Sequence, residues 1–243
     1  MTGLISFGYI EYGTGYYELM PQIDCFTSSQ FTPSCSQEQV CQGTNSPQVP
    51  YQINYANSTS LHNWVEQLDL ICVPPFTIGG LGSCYFAGWS TLILIVPPLA
   101  DKVGRKWVFW ASCLVAVATM LVLLNSRDLK LTMAMMFVAG MCNAGRVQIG
   151  FLFASEFLVE RWQVVFTTAF MFIDSSTIIW LTIYFDWVSK QYEYIASVGA
   201  IFGTICCGLT PFFVPESPLW QLKMRKIYEA SDSLRQMSKI NGV

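Results

Sequence analysis

Charged residues are scarce in this 243-residue chain: they make up 12% of it, against 53% hydrophobic residues. A soluble domain carries about twice that share of charge, so the composition is typical of a protein that crosses a membrane several times. The net charge is −3, and the sequence has no basic stripe with interleaved aromatic residues. Both observations argue against nucleic-acid binding.

Histidine is rarer still. His62 is the only one and lies in a polar segment, which excludes a histidine-based triad within the membrane. The sequence also lacks a phosphate loop and a dinucleotide fingerprint, so we expect neither an enzyme nor a bound cofactor. The opening residues MTGLISFGY lack the basic start of a cleaved signal peptide, so we expect the first hydrophobic run to be retained as a helix.

Six hydrophobic runs predict an all-α membrane protein. Each has about twenty residues, the length that a helix needs to cross a hydrocarbon core of about 30 Å. The predicted transmembrane helices cover residues 3–20, 76–100, 107–125, 131–155, 164–186 and 194–214. We therefore divide the chain into a transmembrane bundle, residues 1–214 with a long outer loop at 21–75, and a tail, residues 215–243.

The tail is predicted to form an amphipathic helix on the membrane surface, because its apolar residues recur at helical spacing among lysines and arginines. Ser217 is the expected cap of this helix, with Pro218 as its first residue. The apolar positions are Trp220, Met224, Ile227, Leu234 and Met237. In the sixth run, the Gly199 and Gly203 pair predicts a face onto which a partner helix can dock.

The distribution of basic residues predicts the orientation. Segment 21–75 contains no lysine or arginine, whereas nine of the 13 lie in the loops and tail on the other side, namely Lys102, Arg105, Lys106, Arg161, Lys223, Arg225, Lys226, Arg235 and Lys239. Positive charge accumulates on the inner side of membrane proteins. Both termini are therefore expected on the cytoplasmic or matrix side, with the plasma membrane and the mitochondrial inner membrane both open.

The outer loop carries four cysteines, Cys25, Cys35, Cys41 and Cys72, in a polar stretch. An even number in an outward loop predicts two disulfides, with three pairings open. A metal site is disfavoured because the loop has neither a short paired cysteine spacing nor a histidine cluster. Asn57 begins an Asn-Ser-Thr glycosylation sequon. The remaining cysteines lie within the predicted helices as packing residues: Cys84, Cys113, Cys142, Cys206 and Cys207.

Two motifs flank the third to sixth runs: DKVGRK at residues 101–106 and PESPLW at residues 215–220. In the first, Asp101 at the end of one helix can pair with Arg105 at the start of the next, and Gly104 supplies the turn. The first resembles the loop signature between helices 2 and 3 of the major facilitator superfamily. The second resembles the segment after helix 6 in its sugar-porter and organic-ion-transporter branches.

This resemblance implies the N-terminal six-helix half of a twelve-helix transporter. Glu156 and Arg161 resemble the family's glutamate and arginine pair after helix 4, and would join Asp101 and Arg105 in a charge cluster at the inner face. The resemblance extends this cluster to Gly104, Lys106 and Glu216. The long cysteine-bearing outer loop is similar to that of the organic cation and anion transporters, as is segment 60–72 before the second run.

Three ionisable residues fall inside the predicted helices: Glu11, Arg146 and Asp174. At about 1.5 Å of rise per residue they lie near one depth, where transporters of this kind bind their substrate. A buried charge is costly, so we interpret the three as substrate-binding or proton-coupling residues. A buried Glu11 and Arg146 pair that only fixes two helices remains the alternative.

Aromatic residues in and near the spans could form a wall for an organic cation or could simply pack. They are Tyr12, Tyr16, Tyr85, Trp89 and Trp180.

Two functions remain open. The first is transport of a small organic solute, an organic ion or a sugar-like molecule, together with a second six-helix half or a second copy. The second is a transporter-derived structural subunit of a larger, energy-converting membrane complex. Pro97 and Leu219, which depart from the two signatures, and the lack of a second half favour the latter. Under both, the lipid bilayer is a partner.

Overall fold

The chain is mostly helical in the computed structural model, which describes residues 8–27, 30–43 and 46–241. The helices are α1 (Gly8–Tyr17), α2 (Gln37–Cys41), α3 (Trp64–Gln67), α4 (Pro75–Ile78), α5 (Gly80–Leu92), α6 (Val96–Val103), α7 (Arg105–Asn125), α8 (Leu129–Asn143), α9 (Gly150–Ser155), α10 (Glu160–Ile183), α11 (Tyr192–Phe213), α12 (Pro218–Lys223) and α13 (Ile227–Asn241). Shorter turns are a 3-10 helix at Leu70–Cys72 and two π-helices at Ala144–Ile149 and Tyr184–Val188.

Within the described residues, four helical stretches are long and apolar enough to cross a membrane, namely Arg105–Asn125, Leu129–Ser155, Glu160–Val188 and Tyr192–Phe213. A fifth is the pair Pro75–Leu92 and Val96–Val103 if it counts as one span. These correspond to five of the six predicted helices. The described part of the first is α1, whose ten residues make a helix of about 15 Å; positions 3–7 lie outside the described residues.

The second predicted span is broken rather than continuous. Its two parts meet at an angle of 48°. Pro97 and Pro98 occupy the first turn of α6, where their missing N–H groups cost nothing but prevent the helix from continuing from the preceding turn. The proline that departs from the family signature therefore coincides with a bend.

The helices α5 and α8 pack at very close range. A Cβ atom added to Gly88 of α5 would lie 2.0 Å from the Phe137 carbonyl oxygen, and one added to Gly140 of α8 would lie 1.9 Å from the Tyr85 carbonyl oxygen. The backbones of α5 and α8 therefore touch, as small residues allow in membrane helices.

On α11, Gly199 and Gly203 are both buried within this chain. The prediction that this face is free for a partner helix is wrong.

The outer loop contains a small antiparallel sheet that the all-α prediction missed. Its strands are β1 (Ile23–Thr27), β2 (Gln30–Cys35) and β3 (Tyr51–Ile53), in the order β2-β1-β3. Disulfides join Cys25 to Cys35 and Cys41 to Cys72. This confirms two disulfides and selects one of the three pairings. The first ties β1 to β2, and the second ties α2 to the turn before the second span.

Asn63 attaches the outer loop to the membrane helices. Its side-chain oxygen accepts the Val65 amide at 3.1 Å and so caps α3. Its side-chain nitrogen donates to the carbonyls of Tyr16 at 2.9 Å and Leu19 at 2.8 Å, at and just beyond the end of α1. Carbonyls at a helix end have no partner within the helix, so one buried side chain satisfies groups from two elements.

Replacing Asn63 with alanine is expected to lower the free energy of unfolding by about 1–3 kcal/mol, because a helix cap is lost and two partly buried carbonyls lose the Asn63 donor. Thermal unfolding in detergent measures the effect. Asn125→Ala is the matched control, since it removes an exposed hydrogen bond to Leu121 and should change stability by less than about 0.5 kcal/mol. Equal losses in the two variants would contradict the bridging role.

The tail forms two helices instead of one. Arg225 adopts a left-handed backbone conformation, with φ of 60°, and separates α12 from α13. Trp220 on α12 is buried, whereas Ile227, Tyr228 and Leu234 on α13 are exposed. An apolar face on α13 agrees with an amphipathic helix, and its position on a membrane surface stays a prediction.

Candidate functional site

The inner charge cluster is built around Arg105, the first residue of α7. Its guanidinium pairs with the Glu156 carboxylate, and both side chains are almost fully buried, at 4% and 6% exposure. A second, longer contact of 3.3 Å reaches Asp101, whose side chain is 63% exposed. The two acids therefore differ, because Glu156 holds the arginine in the protein interior while Asp101 faces solvent.

Glu216 caps the N-terminus of α7. One of its carboxylate oxygens accepts the backbone amides of Arg105 at 3.2 Å, Lys106 at 3.0 Å and Ser217 at 3.0 Å. Unpaired amides and the helix dipole make a helix N-terminus favourable for an anion. Gly104 permits this approach, because it has φ of 114° and an added Cβ atom would lie 2.6 Å from the other Glu216 oxygen.

The two sequence motifs therefore meet in space, and residues of the second extend the cluster. The Ser217 hydroxyl donates to Glu156 at 2.6 Å. The Trp220 indole donates to the Asp101 carbonyl at 2.8 Å. Sequence reasoning treated Ser217 only as a helix cap, a role that it also fills by accepting the Trp220 amide at 3.2 Å. Nothing in the sequence indicates that the Ser217 hydroxyl also donates to a buried carboxylate.

The side chains of Lys106 and Arg161, which were also expected in the inner charge cluster, make their contacts elsewhere. The Lys106 ammonium donates to the Pro211 carbonyl of α11 at 2.9 Å, so it joins α7 to α11 and only its backbone takes part in the cluster. Arg161 is exposed, and its guanidinium lies 5.6 Å from the Trp162 ring centre. Glu156 is paired with Arg105 rather than with Arg161.

Two of the three charges predicted at mid-membrane, those of Glu11 and Arg146, lie in one hydrogen-bonded network. The Glu11 carboxylate on α1 accepts from the Tyr85 hydroxyl at 3.4 Å and from the Asn143 amide at 3.3 Å. The Asn143 side-chain oxygen in turn accepts from the Arg146 guanidinium at 2.6 Å. Asn143 and Arg146 are buried, and Arg146 lies in the π-helix at Ala144–Ile149.

Asp174 of α10 lies beside this network. Its carboxylate accepts the Tyr12 hydroxyl at 2.7 Å, and Tyr12 follows Glu11 directly on α1. The charges of Asp174 and Arg146 both act on the Glu11 carboxylate. Sequence reasoning missed Asn143, which links the acid to the arginine, although an asparagine within a hydrophobic run was an available signal.

The predicted aromatic wall is only partly assembled. Tyr12 and Tyr85 contact the charged network, whereas Tyr16 stacks on Phe185 at 5.0 Å between ring centres. Trp180 is exposed on α10. Trp89 is half-buried on α5 and packs against apolar residues, and its indole N–H has no hydrogen-bond partner in the described chain.

A polar cavity of about 360 Å³ lies between α3, the end of α7 and the start of α11, and His62, Glu66, Asp69, Arg127 and Glu193 are among its lining residues. The side chain of Asn57, the predicted glycosylation site, forms a hydrogen bond with Gln22 and accepts one from the Thr59 amide at 3.1 Å.

Among the described residues, no group of three or more acids, cysteines and histidines is placed to hold a metal ion.

Comparison with known proteins reveals consistent similarities. The family described as "Sugar (and other) transporter" matches residues 2–243. "Organic cation/carnitine transporter 2" of Mus musculus is 23% identical over 189 residues, which cover 78% of this chain and 34% of the relative. "Solute carrier family 22 member 4" of the same organism is 23% identical over 192 residues, with the same coverage. "Organic cation/carnitine transporter 2" of Arabidopsis thaliana is 28% identical over 231 residues, covering 90% of this chain and 42% of the relative. The chain thus spans about a third of the length of the mouse relatives.

Proposed function

Since the chain belongs to the sugar (and other) transporter family, and to the part of it that the organic cation transporters represent, we propose that it forms part of a membrane carrier for a small organic cation. Family membership favours a multi-pass carrier of an organic solute over an enzyme. The observation that carries the cation assignment is the network of Glu11, Asn143 and Arg146 with the Asp174 carboxylate beside it. The substrate contacts this network from the side of α1 and α10.

The charges of the network favour a cation. Two carboxylates and one guanidinium give a formal charge of −1. Asn143 bridges Glu11 to Arg146. The Arg146 guanidinium therefore offsets the negative charge of Glu11. Asp174 receives a hydrogen bond from the neutral Tyr12 hydroxyl and is only partly buried, so its carboxylate is the group available to a positively charged ligand. Tyr12 adds an aromatic face beside it.

The inner cluster acts, on this proposal, as the gate on the cytoplasmic or matrix side. Arg105, Glu156 and Glu216 form its buried part and link α7 to the segments after α9 and α11. Asp101 is exposed and makes the longer contact, so it is the acid that separates first when the gate opens. The cavity at the other end of the bundle then lies on the outer side.

Asp174→Asn is expected to reduce uptake of radiolabelled tetraethylammonium at least about tenfold, because an attraction between unit charges of more than about 1.4 kcal/mol is lost. Uptake is measured in vesicles of the native membrane that contain the complete protein and its natural partners. Asp232→Asn is the matched control, since Asp232 lies on the tail and is exposed. Unchanged uptake in the Asp174 variant would overturn the site assignment.

Arg146 distinguishes binding from scaffolding in the same assay. Arg146→Ala is expected to abolish uptake while the protein remains in the membrane, because the Glu11 carboxylate loses its compensating charge. If Arg146 only fixes two helices, the extracted protein will also lose thermal stability, and Asp174→Asn will leave uptake intact. The two roles thus predict different pairs of results.

A working carrier needs two bundles that move about a shared site, so we propose that a second six-helix half or a second copy completes it. The alternative of a structural subunit gains no support from the relatives, which carry the names of transporters. The mass and composition of the complex extracted in mild detergent distinguish a second copy from a separate second half.

A further inference from the structure

A line of cavities follows the seam between α7 and α11, from the polar cavity described above into the apolar part of both helices. A second polar cavity, of about 410 Å³, shares Gln67, Arg127 and Glu193 with the first. It also shares Leu124 and Ser197 with an apolar groove of about 310 Å³. The three together form one continuous depression that is charged at one end and apolar at the other.

The apolar groove lies within one leaflet of the membrane. Both helices contribute the rest of its lining, namely Leu121, Ala200, Ile201, Thr204 and Ile205. Ile205 lies 13 positions after Tyr192, the first residue of α11, which corresponds to about 20 Å along a helix. Both helices are long and apolar enough to cross a membrane, and half of a hydrocarbon core is about 15 Å. The groove therefore reaches mid-membrane, at the depth where the end of an acyl chain lies.

The polar end of the depression carries charges of both signs. Exposed charged side chains line it, namely Glu66, Asp69, Arg127 and Glu193, and three carboxylates and one guanidinium give a formal charge of −2. Glu66 pairs with His62 at 2.7 Å, whereas neither Arg127 nor Glu193 forms an ion pair with another residue of the described chain. A guanidinium beside carboxylates is complementary to a ligand that carries a phosphate next to an ammonium group.

From this geometry we propose that the seam between α7 and α11 binds one membrane phospholipid, phosphatidylethanolamine. Its phosphate contacts Arg127, its ammonium donates hydrogen bonds to the carboxylates of Glu193 and Asp69, and one acyl chain lies in the apolar groove. Guanidinium groups bind phosphate well, and an ammonium group has three hydrogen-bond donors. An anionic headgroup lacks the ammonium and meets a net negative charge, so the site selects the zwitterion.

Lipid titration followed by native mass spectrometry tests the site. The complete protein is extracted in mild detergent, stripped of lipid, and titrated with phosphatidylethanolamine or phosphatidylglycerol that carry the same oleoyl chains. We expect phosphatidylethanolamine to bind at least about tenfold more tightly, because only its headgroup makes the charge-assisted contacts to the carboxylates. Equal or tighter binding of phosphatidylglycerol would overturn the proposal.

A soluble headgroup distinguishes a lipid site from a site for a free phosphate ester. Glycerophosphoethanolamine has the same headgroup without acyl chains, and the apolar groove contributes nothing to its binding. At equal concentration it should therefore leave phosphatidylethanolamine bound. Displacement of the lipid would show that the groove holds no chain, and would contradict the assignment.

Two matched pairs of variants locate the lipid. Arg127→Gln should weaken phosphatidylethanolamine binding about tenfold by removing the phosphate contact. Lys130→Gln removes an exposed charge that does not line the cavities, and should change binding less than about twofold. Ser197→Trp fills the junction of cavity and groove and should weaken binding at least about tenfold, whereas Val198→Trp adds the same side chain at an exposed position beside it and should not.

The comparison of lipids on the wild-type protein stands by itself, should a variant fail to fold. Equal effects of the two members in either pair of variants would show that the lipid associates with the membrane surface of the protein in general, and would overturn the site.

Discussion

Replacing Arg105 with methionine is expected to lower the free energy of unfolding by about 3–5 kcal/mol, a large fraction of the stability of a protein. The substitution keeps an unbranched apolar stem but leaves the Glu156 carboxylate buried without its guanidinium. The Ser217 hydroxyl still donates to that carboxylate at 2.6 Å, but a neutral donor does not offset a buried charge. Thermal unfolding in detergent measures the loss.

Two variants show whether the buried charge is the cause. Arg105→Met combined with Glu156→Gln removes both charges and should recover much of the lost stability, because the cost comes from the unpaired carboxylate. Arg161→Met is the matched control, since Arg161 is exposed and its loss should cost less than about 0.5 kcal/mol. Similar unfolding curves for Arg105→Met and Arg161→Met would refute the buried pair.

Gly140→Ala is expected to cost at least about 3 kcal/mol, the upper end for overpacking by a single group. The new methyl group would lie 1.9 Å from the Tyr85 carbonyl oxygen and 2.9 Å from the Trp89 backbone nitrogen. Backbone atoms cannot rotate away as a side chain can, so α5 and α8 must separate along their crossing. The yield of monodisperse protein after detergent extraction and its thermal midpoint should both fall.

Gly208→Ala separates this effect from the general cost of changing a helical glycine. Gly208 lies within α11, and nothing lies within 4 Å of an added Cβ atom. Alanine is favoured over glycine inside a helix by about 0.5–1 kcal/mol, so this variant should be neutral or slightly more stable. If both variants behave alike, α5 and α8 are not in backbone contact.

The meeting of the two motifs is expected from their resemblance to the signatures of a transporter family. The partner of each charged side chain could not be predicted in this way. The resemblance paired Glu156 with Arg161, but the chain turns between them and α10 begins at Glu160. Arg105, 51 positions earlier by residue number, reaches Glu156 instead, because α7 packs beside α9.

Hydrophobic runs predict where helices lie but not how they are interrupted. The π-helix at Ala144–Ile149 leaves no signature in the composition, so the sequence did not predict the link from Arg146 to Asn143. The outer sheet was missed because its strands have only five, six and three residues, too few for alternation to mark a half-buried strand. Disulfide pairing was open for a simpler reason, since four cysteines allow three arrangements.

The carboxylate that caps α7 is synthesised well after the helix that it caps. Glu216 lies 111 residues after Arg105, whose amide it accepts, and chains are synthesised at roughly 5–20 residues per second. The first turn of α7 therefore waits roughly 6–22 s for its acceptor after Arg105 has been added. During that interval α7 to α11 are made without the cap, and a residue of the later motif then fixes the start of a helix that was made long before it.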